Sequence, residues 1–304
     1  MDINKEFISP VYDCTFKWLW KNEECRKWFI KLIKHLTDVD LTDYSLYDSE
    51  INSGNNLRDY RLDIILTKNN CDYRKSDFYN IEMYKNYYDL NEYKSNMYLF
   101  VLMADGFESG DKFVKRRGMQ INFHDYNNKY DKNLTISQHK LRDFTNNLEC
   151  DDITIYNVYL PKFEGICYNG DEKELEASLA LLHASSYEEM RKIASGNKEA
   201  LNIVDSLERL SLRQDFMGVY DAEKVHRKEI NTARSEGYEE GIQEGIQEGI
   251  QEGIQEGIQE GIQEGIQEGK LQDAKAMLKD GISIENVSKY TGLDIDTINE
   301  YCSK

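Results

Sequence analysis

The sequence lacks the closely spaced cysteines and histidines that build common metal and redox sites. Its 6 cysteines form no Cys-x-x-Cys pair, and its 5 histidines form no His-x-x-x-His pattern. These absences argue against a zinc knuckle, a thioredoxin-like site and a zinc hydrolase. We therefore expect no zinc, and we expect the thiols to be reduced, as is usual in the cytoplasm.

A long apolar segment is also missing. Nowhere do about 18 apolar residues follow one another, so no membrane-spanning helix is predicted. The N-terminal stretch Met1–Phe7 is polar and charged rather than basic and then apolar, which argues against a signal peptide. We therefore expect a cytoplasmic protein that has no membrane partner.

Basic charge is in deficit, because 38 Lys and Arg face 56 Asp and Glu, a formal net charge of −18. Such a balance disfavours binding to nucleic acid. The deficit belongs to the C-terminal half, however. Residues 1–150 hold 22 basic against 24 acidic residues, whereas the remainder holds 16 against 32. The N-terminal half is nearly neutral and is therefore compatible with a DNA partner.

What is present in residues 1–168 is a mixture of helical and strand patterns. Apolar residues at helical spacing predict one or two amphipathic helices between Phe16 and Leu36, and residues 91–104 also have a helical pattern. Short apolar runs predict strands, which lie at residues 61–66, 78–84, 118–123 and 153–160. Together these elements predict an α/β fold with a small mixed sheet flanked by helices.

The rest of the chain divides by its pattern. A leucine-rich helical pattern precedes a repeat in which glycine recurs at every fourth position, and seven copies of Gly-Ile-Gln-Glu fill residues 241–268. We therefore predict four domains: an N-terminal α/β domain (1–168), a helical region (169–235), the repeat (236–269) and a small helical tail (270–304).

The repeat admits two interpretations. Four residues advance an α-helix by about 400°, so the isoleucine stripe drifts by about 40° per copy and wraps right-handedly. Glycine costs roughly 1 kcal/mol per position relative to alanine in a helix. Isoleucines packed between chains would offset this cost and make residues 236–269 the stalk of a homo-oligomer. Without such packing the segment is a solvated acidic linker.

The tail predicts a short helix, a glycine-containing turn and a second helix, which is the helix-turn-helix pattern. A helix that reads DNA bases presents Arg, Lys, Asn or Gln. The second helix of the tail presents Asp294, Asp296 and Glu300 instead. The tail therefore favours a protein contact over DNA binding.

Two acidic residues, Asp63 and Glu82, stand within apolar strand patterns. An ionised carboxylate in such a place is costly unless it has a partner. If the two strands lie side by side, the carboxylates form an oxygen-rich site suited to Mg²⁺ or Mn²⁺, which polarises a phosphodiester and activates water. Glu50 is a candidate third metal ligand from the preceding segment, and its alternative is a solvated loop acid.

Residues 10–165 resemble the Rpn family of recombination-promoting nucleases, also called PD-(D/E)XK nuclease family transposases. The stretches that carry the resemblance are Asp13-Cys-Thr-Phe-Lys-Trp-Leu-Trp, Arg61-Leu-Asp-Ile, Asn80-Ile-Glu-Met, Lys94 with Met97-Tyr98, Gln120-Ile-Asn-Phe and Tyr159-Leu-Pro-Lys-Phe. The helical region, the repeat and the tail are similar to that family as well. The resemblance implies a restriction-endonuclease-like core and a Mg²⁺- or Mn²⁺-dependent DNA endonuclease linked to recombination, mobile elements or defence against foreign DNA.

The PD-(D/E)XK pattern has an acid at the end of one strand, then an acid, any residue, and Lys or Gln on the next. The resemblance implies that Asp63 and Glu82 bind the metal, and it places Tyr84 at the Lys/Gln position. Tyr84 could orient water through its hydroxyl group. Strand alternation directs Lys85 to the opposite face, and only a bulge would turn it inward. A catalytically weakened DNA-binding protein and a self-associating scaffold therefore remain alternatives.

Four basic residues are candidates for contact with DNA. Lys94 is similar to a basic position of the family on the helix after the second strand, and it would contact phosphate. The run Lys115, Arg116 and Arg117 precedes the third strand and would clamp the DNA backbone. The alternative for all four is a solvated surface position.

Overall fold

The computed structural model describes most of the chain. Its described residues are 6–47, 50, 51, 60, 61, 63–68, 71–88, 90–105, 115–143, 145, 146, 148–169 and 173–302, with only the backbone at 50, 51, 60, 61 and 92. The chain divides into two compact units, Met1–His226 and Arg227–Lys304, each described by itself. This division does not coincide with the predicted boundaries at residues 168 and 235.

The first unit opens with two helices, α1 (Asp13–Lys21) and α2 (Glu23–Thr37). Asn22 lies between them, and its side chain accepts hydrogen bonds from the backbone N–H groups of Glu24 and Cys25. An asparagine with an extended backbone both ends the first helix and caps the second. The predicted amphipathic segment is therefore two helices.

Eight strands lie in the described part of the first unit: β1 (Tyr44–Tyr47), β2 (Glu50–Ile51), β3 (Tyr60–Arg61), β4 (Ile64–Lys68), β5 (Phe78–Tyr84), β6 (Gly118–His124), β7 (Ile136–Asp143) and β8 (Leu148–Tyr159). Six of them form one sheet in the order β1–β4–β5–β6–β8–β7, and β2 pairs with β3. β5, β6 and β8 run parallel, whereas the remaining pairs are antiparallel. The sheet is mixed, and the predicted α/β class is confirmed.

Helices cover both faces of this sheet. Parallel neighbours need a crossover, and α3 (Asn91–Ala104) provides the one between β5 and β6. On that face Leu99 and Leu102 pack with Phe78 and Ile65. The central strands are therefore buried on both faces, as is usual for parallel strands.

The opposite face of the sheet packs against α1 and α2. The rings of Phe16 and Phe123 meet edge to face there, with centroids 6.3 Å apart. The same core includes three further helices, α4 (Glu174–His183), α5 (Tyr187–Ile193) and α6 (Lys198–Leu210). The helical residues 173–210 therefore share one core with the sheet rather than forming a core of their own.

One expected strand is wrong in detail. A single strand is predicted over residues 61–66, but β3 ends at Arg61 and β4 begins at Ile64. Asp63 therefore stands in a bend just before β4 instead of inside an apolar strand. From this position the Asp63 side chain contacts both β5, through the backbone N–H of Met83, and α1, through Lys17.

In the second unit, the repeat is helical throughout and lies in the part of α7 (Gln214–Lys279) that follows His226. The isoleucines of the repeat are 45–58% exposed, and a Cβ added at any of its glycines would meet nothing within 4 Å. The tail adds α8 (Ile284–Thr291) and α9 (Ile295–Cys302), which form a small core with the end of α7. Within the described residues, no helix combines the length and the apolar character needed to span a membrane.

We predict that replacing Gly249, Gly253 and Gly257 together with alanine raises the helicity and the melting temperature of the repeat. Each change removes up to roughly 1 kcal/mol of unfavourable helix propensity. The space around these positions is open, so the added methyl groups cause no clash. Far-UV circular dichroism during a thermal melt measures the effect.

Gly292→Ala is a control that should lower, rather than raise, the stability of the second unit. Gly292 ends α8 with a φ of 72°, where a β-carbon is strained, so this variant should destabilise the tail. A fall in helicity in the triple-alanine chain would instead mean that another helix approaches these glycines closely.

Candidate active site

Asp63 and Glu82 lie side by side where β4 begins. β4 and β5 are antiparallel with Ile64 opposite Ile81, so the residue before Ile64 stands opposite the residue after Ile81. The backbone N–H of Asp63 donates to Oε1 of Glu82 at 3.4 Å, and Oδ2 of Asp63 accepts from the backbone N–H of Met83 at 2.9 Å. The two acids paired from the sequence are therefore brought together.

Burial raises the pKa of both carboxyl groups. The Asp63 side chain is 13% exposed and Glu82 is 4% exposed. Burial, followed by the nearby carboxyl group of Asp13, raises the pKa of Asp63 to about 7, and Lys17 opposes this shift. Burial and then the charge of Asp63 raise the pKa of Glu82 well above its usual range. A divalent cation would stabilise the ionised form of both groups.

Helix α1 adds a lysine and a third acid to this site. Nζ of Lys17 lies 3.3 Å from Oδ1 of Asp63 and 2.9 Å from Oδ1 of Asp13. Burial lowers the pKa of Lys17, but the attraction of Asp63 and Asp13 prevails and the net shift is upward. Sequence reasoning missed both residues as site residues. Their spacing of four on one face of a helix is the signal that could have found them.

The N-terminus of α1 is held by Glu223, a residue of α7 in the first unit. Its two carboxylate oxygens accept hydrogen bonds from the backbone N–H groups of Asp13 and Cys14, each at 3.0 Å. The N-cap residue, Tyr12, makes no side-chain cap. A carboxylate at this end satisfies two N–H groups of the helix and interacts favourably with its dipole. Glu223 therefore fixes the helix that carries Lys17.

Tyr84 lies on the same face of β5 as Glu82, two residues further along. It is 8% exposed, and its buried hydroxyl group has no hydrogen-bond partner among the described residues. Burial and the charges of Glu82 and Asp63 raise its pKa, so the hydroxyl keeps its proton. The hydroxyl group of the nearby Ser95 acts in the opposite direction on this pKa, so a ligand at this site would compete with Ser95 for the Tyr84 donor.

Lys85 lies beside the start of α1. Its Nζ lies 3.9 Å from the centre of the Tyr12 ring, on the α1 side of the sheet. The pairing of β5 with β6 continues in regular register to Tyr84, so no bulge in this described strand turns Lys85 inward. Strand alternation directs Lys85 to the face opposite Glu82, and its catalytic role stays a prediction.

A chain of buried amide side chains extends from Glu82 across the sheet. The parallel register of β5, β6 and β8 aligns these residues. The donor–acceptor distances along the chain are 3.2, 2.8, 2.8 and 2.9 Å. Its members are, in order, Asn80, Gln120, Asn122 and Asn157. Sequence reasoning missed this network, although polar residues alternate with apolar ones in all three strands.

Lys94 is the one DNA-contact candidate whose charge acts on the pKa of Glu82. It is exposed on α3, with Nζ 5.2 Å from the centre of the Tyr98 ring. Its positive charge lowers the pKa of Glu82, against the larger effects of burial and of Asp63. Lys94 therefore lies close enough to act electrostatically on Glu82, and its predicted contact with DNA phosphate stays a prediction.

The run of three basic residues divides into one buried and two exposed side chains, and the DNA contacts of Lys115 and Arg117 stay predictions. Arg116 is 4% exposed, and its guanidinium donates to three backbone carbonyl groups at 2.6–2.9 Å; these belong to Tyr73, Leu102 and Met103. The predicted DNA contact of Arg116 is therefore wrong, because its charge is used to join α3 to the loop before β5. Arg117 pairs with Asp77 at 2.7 Å, and exposed Lys115 lies 3.4 Å from Asp152.

The donor set fits a hard divalent cation. Two carboxylates with several water molecules are a common way to hold Mg²⁺. The side chain of Glu50 lies outside the described residues, so its predicted role as a third ligand stays a prediction. Among the described side chains, no group of three or more His, Cys, Asp or Glu residues is arranged as a ready metal site.

No protein-family model matches the chain, and neither a curated protein nor a solved structure matches it. The resemblance to the Rpn family therefore stays a prediction.

We predict that without metal this site loses stabilising free energy as the pH rises from about 4 to about 7. The pKa of Asp63 is about 7 in the folded chain and 3.8 in the unfolded chain, so its stabilising contribution is complete below the lower value and is lost through the higher one. Each pKa unit between the folded and unfolded states corresponds to ~1.4 kcal/mol. The free energy of unfolding should therefore fall by a few kcal/mol over this pH range. Urea denaturation in EDTA at several pH values measures it.

Asp63→Asn should flatten this pH dependence, because the amide does not titrate. Exposed Glu164 provides the control, and Glu164→Gln should leave the dependence unchanged. Adding Mg²⁺ should stabilise the wild type more at high pH than at low pH. A stability that rises steadily with pH in EDTA would contradict the buried carboxyl pair.

Proposed function

We propose that this chain is a Mg²⁺- or Mn²⁺-dependent DNA endonuclease with a restriction-endonuclease-like core of the PD-(D/E)XK type. The observation that carries the proposal is the pair Asp63 and Glu82, a 13% exposed and a buried carboxyl group that lie side by side where β4 begins. A small mixed sheet with helices on both faces is also the architecture that the resemblance implies. Cytoplasmic DNA is the proposed substrate.

Asp63 and Glu82 would hold the cation. When bound, the cation would polarise the phosphodiester and lower the pKa of a bound water molecule. The protein's own part is to keep both carboxyl groups in place. The N–H of Met83 holds Asp63, and the amide of Asn80 holds Glu82 at 3.2 Å. Supporting hydrogen bonds of this kind orient metal ligands and strengthen binding.

Lys17 takes the role that the PD-(D/E)XK pattern gives to Lys or Gln at the position of Tyr84. Its ammonium group, at 3.3 Å from Asp63, stays charged because its pKa is raised. From there it can hold the attacking water or neutralise the charge that develops on the phosphate. Tyr84 adds a protonated hydroxyl group that can donate to the same water or phosphate oxygen.

A DNA-binding protein that does not cleave is the second candidate. The observation in its favour is that Tyr84 occupies the Lys/Gln position while Lys85 lies against Tyr12 on the other face. In this case the carboxyl pair would bind metal, and DNA would bind without hydrolysis. Cleavage is therefore the property that separates the two candidates.

Self-association through residues 236–269 is a further part of the proposal. The exposed isoleucines of the repeat support it, since a stripe of 45–58% exposed side chains gains stability by packing against a second copy. An endonuclease that cuts both strands also benefits from two active sites. Light scattering of the full chain tests this part, and a monomer at all concentrations would contradict it.

We predict that the wild type nicks supercoiled plasmid in Mg²⁺ or Mn²⁺ and not in EDTA. Asp63→Ala should lower the rate by more than the ~10–100-fold that loss of a supporting residue causes, because a ligand itself is removed. Asp205→Ala, at an exposed acid of α6, is the control and should nick like the wild type. Binding of plasmid without nicking by the wild type would favour the second candidate.

We predict that Lys17→Met lowers kcat by about 10–100-fold with little change in KM, because the lysine acts on the reacting groups. Lys21→Met, at an exposed lysine of the same helix, is the matched control and should keep the wild-type rate. Since Lys17 lowers the pKa of Asp63, its loss should also move the pH–rate profile to higher pH.

Lys17→Arg keeps the charge and should restore part of the rate, which a purely structural loss would not allow. Equal rates for Lys17→Met and Lys21→Met would remove Lys17 from the mechanism.

A further inference from the structure

The buried chain of amide side chains has one hydrogen-bond direction. Each amide nitrogen donates to the oxygen of the next amide, in the order Asn80, Gln120, Asn122 and Asn157. Nδ2 of Asn80 also donates to Oε1 of Glu82. An ionised carboxylate only accepts hydrogen bonds, so the nitrogen of Asn80 has to face it. When Glu82 is ionised, its charge therefore sets the direction of the whole chain.

The chain ends at Asn157 with an unused donor. Oδ1 of Asn157 accepts from Asn122 at 2.9 Å and lies 3.0 Å from Nε2 of His124. Nδ2 of Asn157 makes no hydrogen bond to any residue that the structure describes, although the side chain is only 7% exposed. A donor in so enclosed a place gains free energy when an acceptor is placed beside it. The end of the chain is therefore prepared for an acceptor.

A cavity of about 180 Å³ lies at this end of the chain. Its floor is formed by Asn122, Ile155 and Asn157 on β6 and β8. Two exposed residues, Asn96 of α3 and His139 of β7, stand at its mouth, so a ligand can enter from solvent. A cavity of about 150 Å³ can hold benzene, so this volume is sufficient for a phosphate group with water.

The cavity offers donors without a competing acid. Its described lining residues include no Asp or Glu. Oδ1 of Asn122 accepts from Ser95 at 2.9 Å and from Gln120 at 2.8 Å, so this oxygen is already used within the protein. The aligned amide dipoles turn their positive N–H ends toward the cavity, as backbone dipoles do at the N-terminus of a helix. The cavity therefore favours an oxyanion over a cation.

The cavity is separate from the carboxyl pair. Glu82, Asn122 and Asn157 stand opposite one another on neighbouring strands. Two strand spacings amount to about 9.6 Å. Ser95 of α3 contacts Asn122, the middle residue of this row. A group bound in the cavity is therefore not the group that would be held at the metal.

We propose that this cavity binds a phosphate group, with Nδ2 of Asn157 as its innermost donor and Asn96 and His139 as further donors. A phosphate group presents three acceptor oxygens in different directions, which suits donors from three separate elements. Two sources share this chemistry: free phosphate, and a phosphate of the DNA strand. The DNA source rests on the proposed nuclease function, whereas free phosphate does not.

Isothermal titration calorimetry of the full-length chain with inorganic phosphate in EDTA tests the site without DNA or metal. We expect Asn157→Asp to weaken binding about 10–100-fold, because the change turns the donor into an acceptor of nearly the same shape. The oxygen that faces Asn122 and His124 is kept, so the network keeps its contacts. Asn286→Asp, at an exposed asparagine of α8, is the matched control and should bind phosphate like the wild type.

Asn96 provides a second variant at an exposed side chain, which does not depend on how Asn157 substitutions pack. Asn96→Asp places a like charge at the mouth and should weaken phosphate binding, whereas Asn96→Lys should strengthen it. Absence of phosphate binding by the wild type would overturn the site. Equal phosphate affinities for the wild type, Asn157→Asp and Asn96→Asp would overturn it as well.

Fluorescence anisotropy with a labelled DNA duplex separates the two sources. Asn157→Asp and Asn286→Asp are each compared in an Asp63→Asn chain, which should not cleave. Weaker DNA binding with Asn157→Asp alone assigns the phosphate to DNA, and unchanged DNA binding assigns the site to free phosphate. If Asp63-dependent nicking occurs but phosphate does not bind, the nuclease proposal stands and the phosphate site fails. If phosphate binds as expected but no chain cleaves DNA, the cleavage proposal fails instead.

Discussion

The central physical constraint in the first unit is a pair of carboxyl groups, Asp63 and Glu82, held together where solvent is largely excluded. Burial makes both groups costly to ionise, the charge of Asp63 adds to the cost for Glu82, and the carboxyl group of Asp13 adds to the cost for Asp63. The groups around them reduce that cost without removing it: a backbone N–H on Asp63, an amide on Glu82 and the ammonium of Lys17. A site of this kind is partly protonated when empty and favours a divalent cation. That is the physical basis for interpreting it as a metal centre.

Residues distant in the sequence take part in holding the carboxyl pair. Lys17 is placed by α1, and α1 is fixed at its N-terminus by Glu223 from α7. On the other face, α3 covers the polar ends of the central strands, and Arg116 ties that helix to the loop before β5. The sheet alone would bring Asp63 and Glu82 together, but the helices supply the charges that make the pair usable.

Periodicity along single segments predicted the α/β class, most strand and helix positions, and the pairing of Asp63 with Glu82. Sequence periodicity failed wherever a residue's position depends on contacts between elements that are distant in the sequence. Lys17 reaches Asp63 only because α1 packs at the end of β4, and no local pattern contains that contact. Arg116 belongs to a run that looks like a solvated patch, yet three carbonyl groups bury its charge. The amide network needs the register of three parallel strands, which single strands do not specify.

The most direct test of the proposed metal centre is a crystal structure with Mn²⁺, with the ion located by its anomalous signal. We expect one Mn²⁺ bound between Asp63 and Glu82, at oxygen distances of roughly 2.1–2.2 Å, with water completing its shell. We also expect Nζ of Lys17 to remain beside the bound ion's water or a phosphate oxygen. Full occupancy of Mn²⁺ elsewhere, or its absence while Lys17 stays paired with Asp63, would contradict the claim that this pair is a metal centre.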